Sequence, residues 1–253
     1  MMGDLMLLSV VIPAYNEGEY LLETIERVQS VSLENVDKEI IVVDDGSTDG
    51  TTEIMNRLNR ADGSNRPYGE NHTQGFSLRT DNLKTIVKER NQGKGAALRK
   101  GFERVQGDVV VVQDADLEYD PSDYSKLLEP IRTDQADVVY GSRFLGGARR
   151  AHYYRHYLGN KLLTMASNIL TDMTLSDVET CYKMFRRSVL ETIDLEEDGF
   201  GFEPEFTAKV AANNFRVYEV PVSYYGRTYE DGKKVDWRDG FDALRCIVQY
   251  NLF

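Results

Sequence analysis

The sequence has little of several features that define common classes of protein. Its 253 residues contain only two cysteines, Cys181 and Cys246, which lie far apart. Their number and spacing argue against a disulfide scaffold or a cysteine metal site, and favour a reduced protein with buried thiols. Basic residues are fewer than acidic ones, 30 against 42, and the resulting net charge of −12 argues against binding to nucleic acid.

Long hydrophobic runs and targeting segments are also missing. The longest apolar runs, such as Val109 to Val112, have the length of buried strands and fall well short of the ~18 residues of a bilayer-spanning helix. The start of the chain carries Asp4, lacks a basic region and leads directly into an apolar run, unlike a secretory signal. We therefore expect a cytoplasmic protein, soluble or peripheral on the cytoplasmic face of a membrane.

Short apolar runs alternate with amphipathic stretches along the first half of the chain, which predicts βα units and a mostly parallel, Rossmann-like sheet of the α/β class. The predicted strands are Leu7–Ile12, Glu39–Val43, Thr85–Lys88, Asp108–Val112, Asp137–Tyr140 and Phe215–Val220. The predicted helices are Glu19–Val31, Thr51–Asn59, Lys94–Val105, Pro121–Ile131, Arg155–Leu170, Pro204–Ala212 and Trp237–Tyr250. A polar segment at 61–82 interrupts this rhythm and is predicted to be a surface insertion in a single domain spanning 1–253.

Polar residues gather where three predicted strands end. They are the segments Pro13–Glu17, Asp44–Asp49 and Asp114–Asp116. In an open α/β sheet the ligand crevice lies outside the carboxyl ends of the strands. Acidic residues at several of these ends therefore predict a binding site there, since acids used only as helix caps would not cluster in this way.

Asp114 and Asp116 follow four valines, so a buried strand carries both carboxylates to its end. Alternate residues of an extended chain point the same way, and two carboxylates on one side repel unless a cation lies between them. Oxygen ligands suit a hard ion such as Mg²⁺ or Mn²⁺. Glu118 lies two residues after Asp116, so its carboxylate points the same way and joins the site if the chain stays extended.

Two further segments suit a nucleoside diphosphate. In the segment Asp44–Asp49, a carboxylate can accept from a base or a ribose, and Gly46 allows a sharp turn beneath a ligand. The stretch Arg90–Gly95 combines glycines, main-chain N–H groups and the cation of Lys94 at the start of a helix, which suits a diphosphate. It is not a P-loop, because the Walker spacing is absent.

The stretch from Gly141 to Lys161 reverses the overall charge of the chain. It has no acidic residue and contains basic residues interleaved with aromatic ones: Arg143, Arg149, Arg150, His152, Arg155, His156 and Lys161, with Phe144, Tyr153, Tyr154 and Tyr157. Cations mixed with aromatic rings suit an anionic lipid headgroup at a membrane interface. The alternative is a solvated basic helix face that pairs with acids elsewhere in the protein.

These features together resemble the family 2 glycosyltransferases of GT-A fold, and within them the dolichyl-phosphate mannose and glucose synthase group. The resemblance runs from about Ser9 to Trp237, apart from the insertion. It rests on the motifs VVIPAYNE, VVDDGSTDGT, NQGKGAAL, VVQDADLEYDP, YGSRFLGG, SDVETCYKMFRRSVL, GFGFEPEFTAKV and YYGRTYEDGKKVDWRDG. It implies a nucleotide-binding half, 1–120, and an acceptor-binding half, 121–253.

The resemblance also implies roles for individual residues. Nucleotide-sugar contacts would come from Pro13, Tyr15, Glu17, Asp45, Lys94 and Asp114. The metal, Mg²⁺ or Mn²⁺, would be held by Asp116 and by Glu118, which stands where relatives often carry Gln. Arg143, after Ser142, would lie near phosphate groups, and Arg227 would approach the donor diphosphate or the metal. The basic stretch described above adds Arg149 and Arg150 to Ser142 and Arg143 as predicted ligands of an acceptor phosphate.

The expected reaction is inverting transfer of a hexose from GDP-mannose or UDP-glucose to a dolichyl or undecaprenyl phosphate, with peripheral membrane contact. A phosphate nucleophile needs no general base, whereas a sugar hydroxyl does. The main alternative is therefore a hydroxyl-directed glycosyltransferase for surface polysaccharide or glycolipid, with Glu205 or Glu203 as its base. A nucleotidyltransferase and a non-catalytic sugar-nucleotide sensor are further alternatives.

Overall fold

The computed structural model describes residues 5–60, 78–146, 150, 153–227 and 237–252. Its strands are β1 Met6–Ala14, β2 Val36–Asp44, β3 Leu83–Val87, β4 Val109–Val112, β5 Val138–Ser142, β6 Lys183–Arg186 and β7 Val217–Pro221. Its helices are α1 Leu21–Ser30, α2 Thr51–Arg60, α3 Lys94–Phe102, α4 Tyr124–Arg132, α5 Tyr154–Thr171, α6 Arg187–Thr192, α7 Phe202–Ala212 and α8 Trp237–Leu252, with a 3₁₀ turn at Pro121–Asp123. The chain divides into two compact units, Met1–Leu117 and Glu118–Phe253.

The first unit contains four parallel strands in the order β3-β2-β1-β4. The four valines of β4 are at most 1% exposed, and the centre of β1 is equally buried, as expected for strands covered on both faces. Helix α3 packs closely on β1, because a Cβ added at Gly101 would lie 2.5 Å from a methyl of Val11. The parallel register places Ala14 beside Asp44, so β1 and β2 end at the same edge of the sheet.

The second unit contains three strands in the order β6-β5-β7, in which β5 runs antiparallel to β6 and parallel to β7. Helices α5, α7 and α8 pack on one another in this unit. Within the described part of the chain, no helix has the length and apolar character needed to cross a bilayer. The α/β class with a mostly parallel sheet is thus confirmed.

Most predicted elements are present, with ends shifted by a few residues, and three details differ. The helix predicted at Lys94–Val105 ends at Phe102, and the helix predicted from Pro121 begins as a 3₁₀ turn in which Asp120 caps the amide of Ser122. Strand β6 and helix α6 were not predicted, because a four-residue strand with a cation at each end has no recognisable alternation.

Both cysteines are free and buried, as expected. Of the predicted insertion, residues 61–77 lie outside the described residues.

Candidate active site

Hydrogen bonds join the loops that follow β1 and β2. Asn16 adopts a left-handed conformation, with φ of 52°, and its amide donates to Ser47 Oγ at 2.9 Å. Its side-chain oxygen accepts from the amide of Thr48 at 2.7 Å. Tyr15 and Glu17 flank Asn16, and Glu17 is 7% exposed. The predicted nucleoside residues of these two loops therefore lie together at one edge of the first unit.

The two acids at the end of β2 support the loops around them. Asp44 is fully buried and accepts from the hydroxyls of Ser47 and Thr52, each at 2.5 Å. Asp45 is 2% exposed, pairs with Lys88 Nζ at 2.5 Å and accepts from the amide of Gly93 at 2.6 Å. Asp45 thereby ties the glycine-rich stretch to β2, a role that the sequence did not indicate.

Gly46 allows this close approach between the two loops. Its φ is +70°, and a Cβ at this position would lie 2.4 Å from the carbonyl carbon of Arg90. Any side chain would therefore push the glycine-rich stretch away from the end of β2. This supports the prediction that the backbone turns sharply here.

Asp114 and Asp116 follow β4, as predicted, in a segment that turns at Ala115 and Asp116. Both are partly exposed, while Ala115 between them is 3% exposed. The hydroxyl of Thr24 donates to the carbonyl of Ala115 at 3.1 Å and holds the segment in place. Lys94, the first residue of α3, places its Nζ 2.9 Å from Asp114 Oδ1. The predicted diphosphate cation and one of the predicted metal carboxylates are thus in contact.

The ligand chemistry of Asp114 and Asp116 fits a divalent ion of the magnesium type, which prefers carboxylate oxygens. Among the described residues, no group of three or more acidic, histidine or cysteine side chains is arranged to hold a metal by itself. Mg²⁺, however, is usually bound by one or two carboxylates together with substrate phosphates and water. Asp116 with Asp114 supplies that minimum, and Lys94 beside them provides positive charge for a diphosphate.

Glu118 was predicted to point toward the metal on the assumption of an extended chain, and the chain is not extended there. Leu117 has φ of +62° and turns the backbone between Asp116 and Glu118. In the second unit, Glu118 Oε1 instead accepts from the main-chain amide of Arg227 at 2.6 Å. Glu118 and Arg227 thus contact one another, which the sequence did not predict.

Arg143 lies after β5 and forms a two-pronged ion pair with Asp177. Its Nε and Nη2 each lie 2.7 Å from a carboxylate oxygen, and Asp177 is fully buried. The guanidinium lies 5.2 Å from the ring centre of Tyr224 and 5.5 Å from that of Phe144. Bidentate pairing and stacking on rings hold Arg143 firmly in one place.

The other predicted phosphate ligands have separate surroundings. Ser142 Oγ bonds to Ser176 Oγ at 2.6 Å and accepts from the amide of Phe144 at 3.0 Å. The guanidinium of Arg150 donates to the carbonyl of Gly226 at 3.5 Å. Arg149 lies outside the described residues. Ser142 and Arg143 are therefore adjacent at the end of β5, while Arg150 meets the loop that carries Arg227.

Glu205, predicted as the base for a hydroxyl acceptor, lies in the first turn of α7 and is fully buried. Its two oxygens accept from the amides of Glu196 and Glu197 at 2.7 and 2.9 Å, and Lys209 pairs with it at 2.7 Å. Glu203, its alternative, is 4% exposed. These surroundings are typical of a carboxylate that supports the fold, because a general base needs reach to its substrate.

Residues 9–194, well over half of the chain, match the model of the family described as glycosyl transferase family 2. The chain belongs to glycosyl transferase family 2. The resemblance based on the sequence motifs is thereby confirmed.

Several proteins that are named for their activity are similar to this chain. The polyprenol monophosphomannose synthase of Mycolicibacterium smegmatis is 32% identical over 86% of this chain and 77% of that protein. The dolichol-phosphate mannosyltransferase of Pyrococcus furiosus is 30% identical over 96% of this chain and 63% of that protein. A low-salt glycan biosynthesis hexosyltransferase of Haloferax volcanii is 29% identical over 95% of this chain and 53% of that protein. The chain therefore spans about half to three quarters of the length of these relatives.

A solved structure shares the fold of this chain. The glucosyl-3-phosphoglycerate synthase of Mycobacterium tuberculosis, in complex with Mn²⁺, UDP and glucosyl-3-phosphoglycerate, matches with a TM-score of 0.70 at 18% identity. The match covers 97% of this chain and 80% of that one. At this identity the likeness shows the shared fold alone.

Glu179 is a carboxylate of this family 2 chain that sequence reasoning missed. It lies in the second unit, partly buried, and its Oε1 is buried without a hydrogen-bond partner. Burial and the neighbouring charge of Glu203 raise its pKa from 4.5 to about 7, although Lys183 and Arg143 oppose the shift. No sequence signal could have found it, because the effect depends on charges brought together by folding.

We expect Glu179→Gln to change how stability depends on pH. An unfolded Glu179 ionises near pH 4.5 whereas the folded one ionises near pH 7, so its contribution is present below pH 4.5 and is lost as the pH rises through about 7. Gln keeps the neutral shape at every pH. Its advantage over Glu in the free energy of unfolding should grow by roughly 2 kcal/mol between pH 5 and pH 8, as measured by urea unfolding. Glu191→Gln, at an exposed position on α6, is the control and should show no such trend.

Proposed function

We propose that this chain is an inverting glycosyltransferase that moves a hexose from a nucleotide sugar to a polyprenyl phosphate. Its membership of family 2 supports glycosyl transfer. The names of the relatives from Mycolicibacterium smegmatis and Pyrococcus furiosus support a polyprenyl phosphate as acceptor. The two candidate donors are GDP-mannose and UDP-glucose.

The observation that carries the lipid acceptor is the character of α5. This helix, Tyr154–Thr171, has no acidic residue, and its start is basic and aromatic. Its large exposed apolar side chains recur at helical spacing along one face: Leu158, Leu162, Met165 and Ile169. Helix α8, which packs against α5, exposes a second series of this kind: Phe241, Leu244, Val248 and Leu252. We call these eight side chains the apolar face.

The apolar face suits a membrane surface or a lipid chain. Exposed apolar side chains in a continuous series mark an interaction site, and neighbouring cations add attraction to anionic headgroups. Lys161, whose Nζ lies 4.8 Å from the ring centre of Phe144, lines an open groove of about 340 Å³ together with Met165 and Ile169. A chain of isoprene units along the groove and a phosphate near its cation match this distribution of charge.

The donor belongs to the first unit in this proposal. Pro13, Tyr15, Glu17 and Asp45 surround the nucleoside, and Lys94 and Asp114 meet the diphosphate and the sugar. Asp116 would hold the metal with Asp114, and the solved neighbour that contains Mn²⁺ and UDP supports a divalent ion in this role. When bound, such an ion offsets the charge that develops on the departing diphosphate.

The chemistry then requires little from the protein beyond placement and charge. A phosphate monoester is mostly dianionic at neutral pH, because its second pKa is about 6. It attacks the anomeric carbon from the face opposite the leaving diphosphate, the new C–O bond forms as the old one breaks, and the configuration inverts. Arg143, held by Asp177 and two rings, offers a fixed cation to the incoming phosphate, and Arg227 to the leaving one. The buried positions of Glu203 and Glu205 agree with a reaction that needs no base.

A donor and acceptor matrix tests this proposal. The protein is incubated with Mn²⁺ and labelled GDP-mannose or UDP-glucose, together with undecaprenyl phosphate, undecaprenol or a sugar alcohol. We expect a lipid-extractable product with one donor and only with the phosphate, since undecaprenol supplies the same chain without the nucleophile. Transfer to the alcohols but not to the phosphate would instead establish the hydroxyl-directed alternative.

A further inference from the structure

Glu118 accepts three hydrogen bonds from residues 223–227, which we call the late loop. Glu118 Oε1 accepts from the amide of Arg227 at 2.6 Å, and Glu118 Oε2 accepts from the hydroxyl of Tyr224 at 2.8 Å. The main-chain carbonyl of Glu118 accepts from the amide of Tyr225 at 2.8 Å. Hydrogen bonds accepted by an ionised carboxylate are roughly twice as strong as neutral ones. We therefore regard Glu118 as a strong anchor for the late loop, and call this set of contacts the tether.

Neighbouring residues extend the same contact over the rest of the late loop. The carboxylate of Asp123, 2% exposed, accepts from the amide of Ser223 at 2.6 Å. Tyr119 forms an isolated antiparallel bridge with Tyr224, and their rings meet edge to face at 5.2 Å. The late loop is therefore fixed against the segment 118–123 along most of its length.

The direction of the Glu118 side chain follows from the backbone before it. Leu117, with its φ of +62°, turns the chain after the Asp114–Asp116 pair. Glu118 and Arg227 are both largely buried, with side chains 12% and 13% exposed. Arg227 Nε lies 3.9 Å from Glu118 Oε1, so the same carboxylate that holds the Arg227 amide also attracts its guanidinium.

We infer that Glu118 is a positioning residue for the late loop, and through it for Arg227, and does not serve as a metal ligand. Each of its carboxylate oxygens accepts a hydrogen bond from this loop, and Asp116 with Asp114 supplies the one or two carboxylates by which a magnesium-type ion is usually bound. The inference rests on the proposed function only where Arg227 is assigned to the donor diphosphate. The tether itself is a property of the protein without any ligand.

Hydrogen exchange on the ligand-free protein tests the tether. Glu118→Ala should speed exchange of the Tyr225 and Arg227 amides about 10–100-fold, because their acceptors are lost or released. Amides of β4 serve as the internal reference and should not change. Glu118→Gln retains an oxygen acceptor and should keep protection within about threefold of the wild type. Tyr224→Phe removes one donor, keeps the ring over Arg143 and should have an intermediate effect.

Metal binding separates positioning from ligation. Titration with Mn²⁺ in the presence of UDP or GDP should give nearly the same affinity for the wild type and for both Glu118 variants, while Asp116→Asn loses binding. In the transfer assay, Glu118→Ala should lower kcat about 10–100-fold with little change in the donor KM, and Glu118→Gln should restore most of it.

Two results would overturn the inference. One is unchanged exchange of the late-loop amides in Glu118→Ala. The other is a loss of Mn²⁺ affinity in Glu118→Gln comparable with that in Asp116→Asn, which is informative even if the alanine variant does not fold. Because the exchange experiment uses no donor or acceptor, it can succeed where the proposed reaction fails, and the two failures are distinguishable.

Discussion

Asp116→Asn is expected to abolish sugar transfer, with a loss of roughly 10³-fold or more, while the protein stays folded. The substitution keeps the shape of the side chain but removes one of the two carboxylates that follow β4. Since Asp114 already pairs with Lys94 at 2.9 Å, the remaining charge at this edge of the first unit is largely balanced without a metal. A divalent ion would then lose most of its electrostatic attraction.

The measurement is the initial rate of transfer together with thermal unfolding in Mn²⁺ and nucleotide. Wild-type protein should be stabilised by Mn²⁺ with the matching nucleoside diphosphate, and Asp116→Asn should show no such stabilisation. Asp172→Asn is the matched control, because Asp172 ends α5 in a left-handed conformation that Asn also tolerates. Near-normal turnover in Asp116→Asn would refute the metal assignment.

The sequence predicts those parts of the fold and site that depend on local patterns. A run of β-branched residues such as Val109 to Val112 indicates a buried strand, and a parallel sheet brings the carboxyl ends of such strands to one edge. The clusters at Pro13–Glu17, Asp44–Asp49 and Asp114–Asp116 therefore follow from strand assignment alone. Alternation predicts that Asp114 and Asp116 share one side, and in the structure both are partly exposed around the buried Ala115, although the chain already turns there.

The sequence does not predict the charge pairs that connect distant segments. Asp45 reaches Lys88, Lys94 reaches Asp114, and Glu118 reaches Arg227, in each case across 20 or more residues of chain. Each pairing depends on how two loops are brought together, and a pattern of residues along one strand or helix carries no such information. Glu118 shows the consequence: its predicted direction assumed an extended chain, but Leu117 before it is left-handed and turns the backbone.

Burial limits the prediction of catalytic carboxylates in the same way. Glu205 has the residue type of a general base, but main-chain amides and Lys209 occupy it in the structure. Glu179, which no motif marks, has the raised pKa instead. Residue type identifies groups that can ionise, whereas the surrounding charges and the loss of solvent decide how they behave.

Charged substitutions on the apolar face are expected to separate lipid use from donor use. Leu162→Asp and Phe241→Asp lie on α5 and α8, at side chains 53% and 67% exposed, so neither removes a core contact. Each substitution removes an apolar group that would insert at a bilayer interface and adds an anion to it. Since burying one such side chain is worth about 1.5–3 kcal/mol, the double variant should bind anionic vesicles roughly 10²–10³-fold more weakly.

Sedimentation with phosphatidylglycerol vesicles measures that binding, and transfer assays measure its consequence. The double variant should have a much higher KM for undecaprenyl phosphate in vesicles, while its rate with a short-chain, water-soluble isoprenyl phosphate should match the wild type. Leu5→Asp, at an apolar side chain 65% exposed in the first unit, controls for the added charge and should bind vesicles normally. Equal loss with both acceptors would mean that the apolar face supports the reaction itself, and unchanged vesicle binding would mean that it does not meet the membrane.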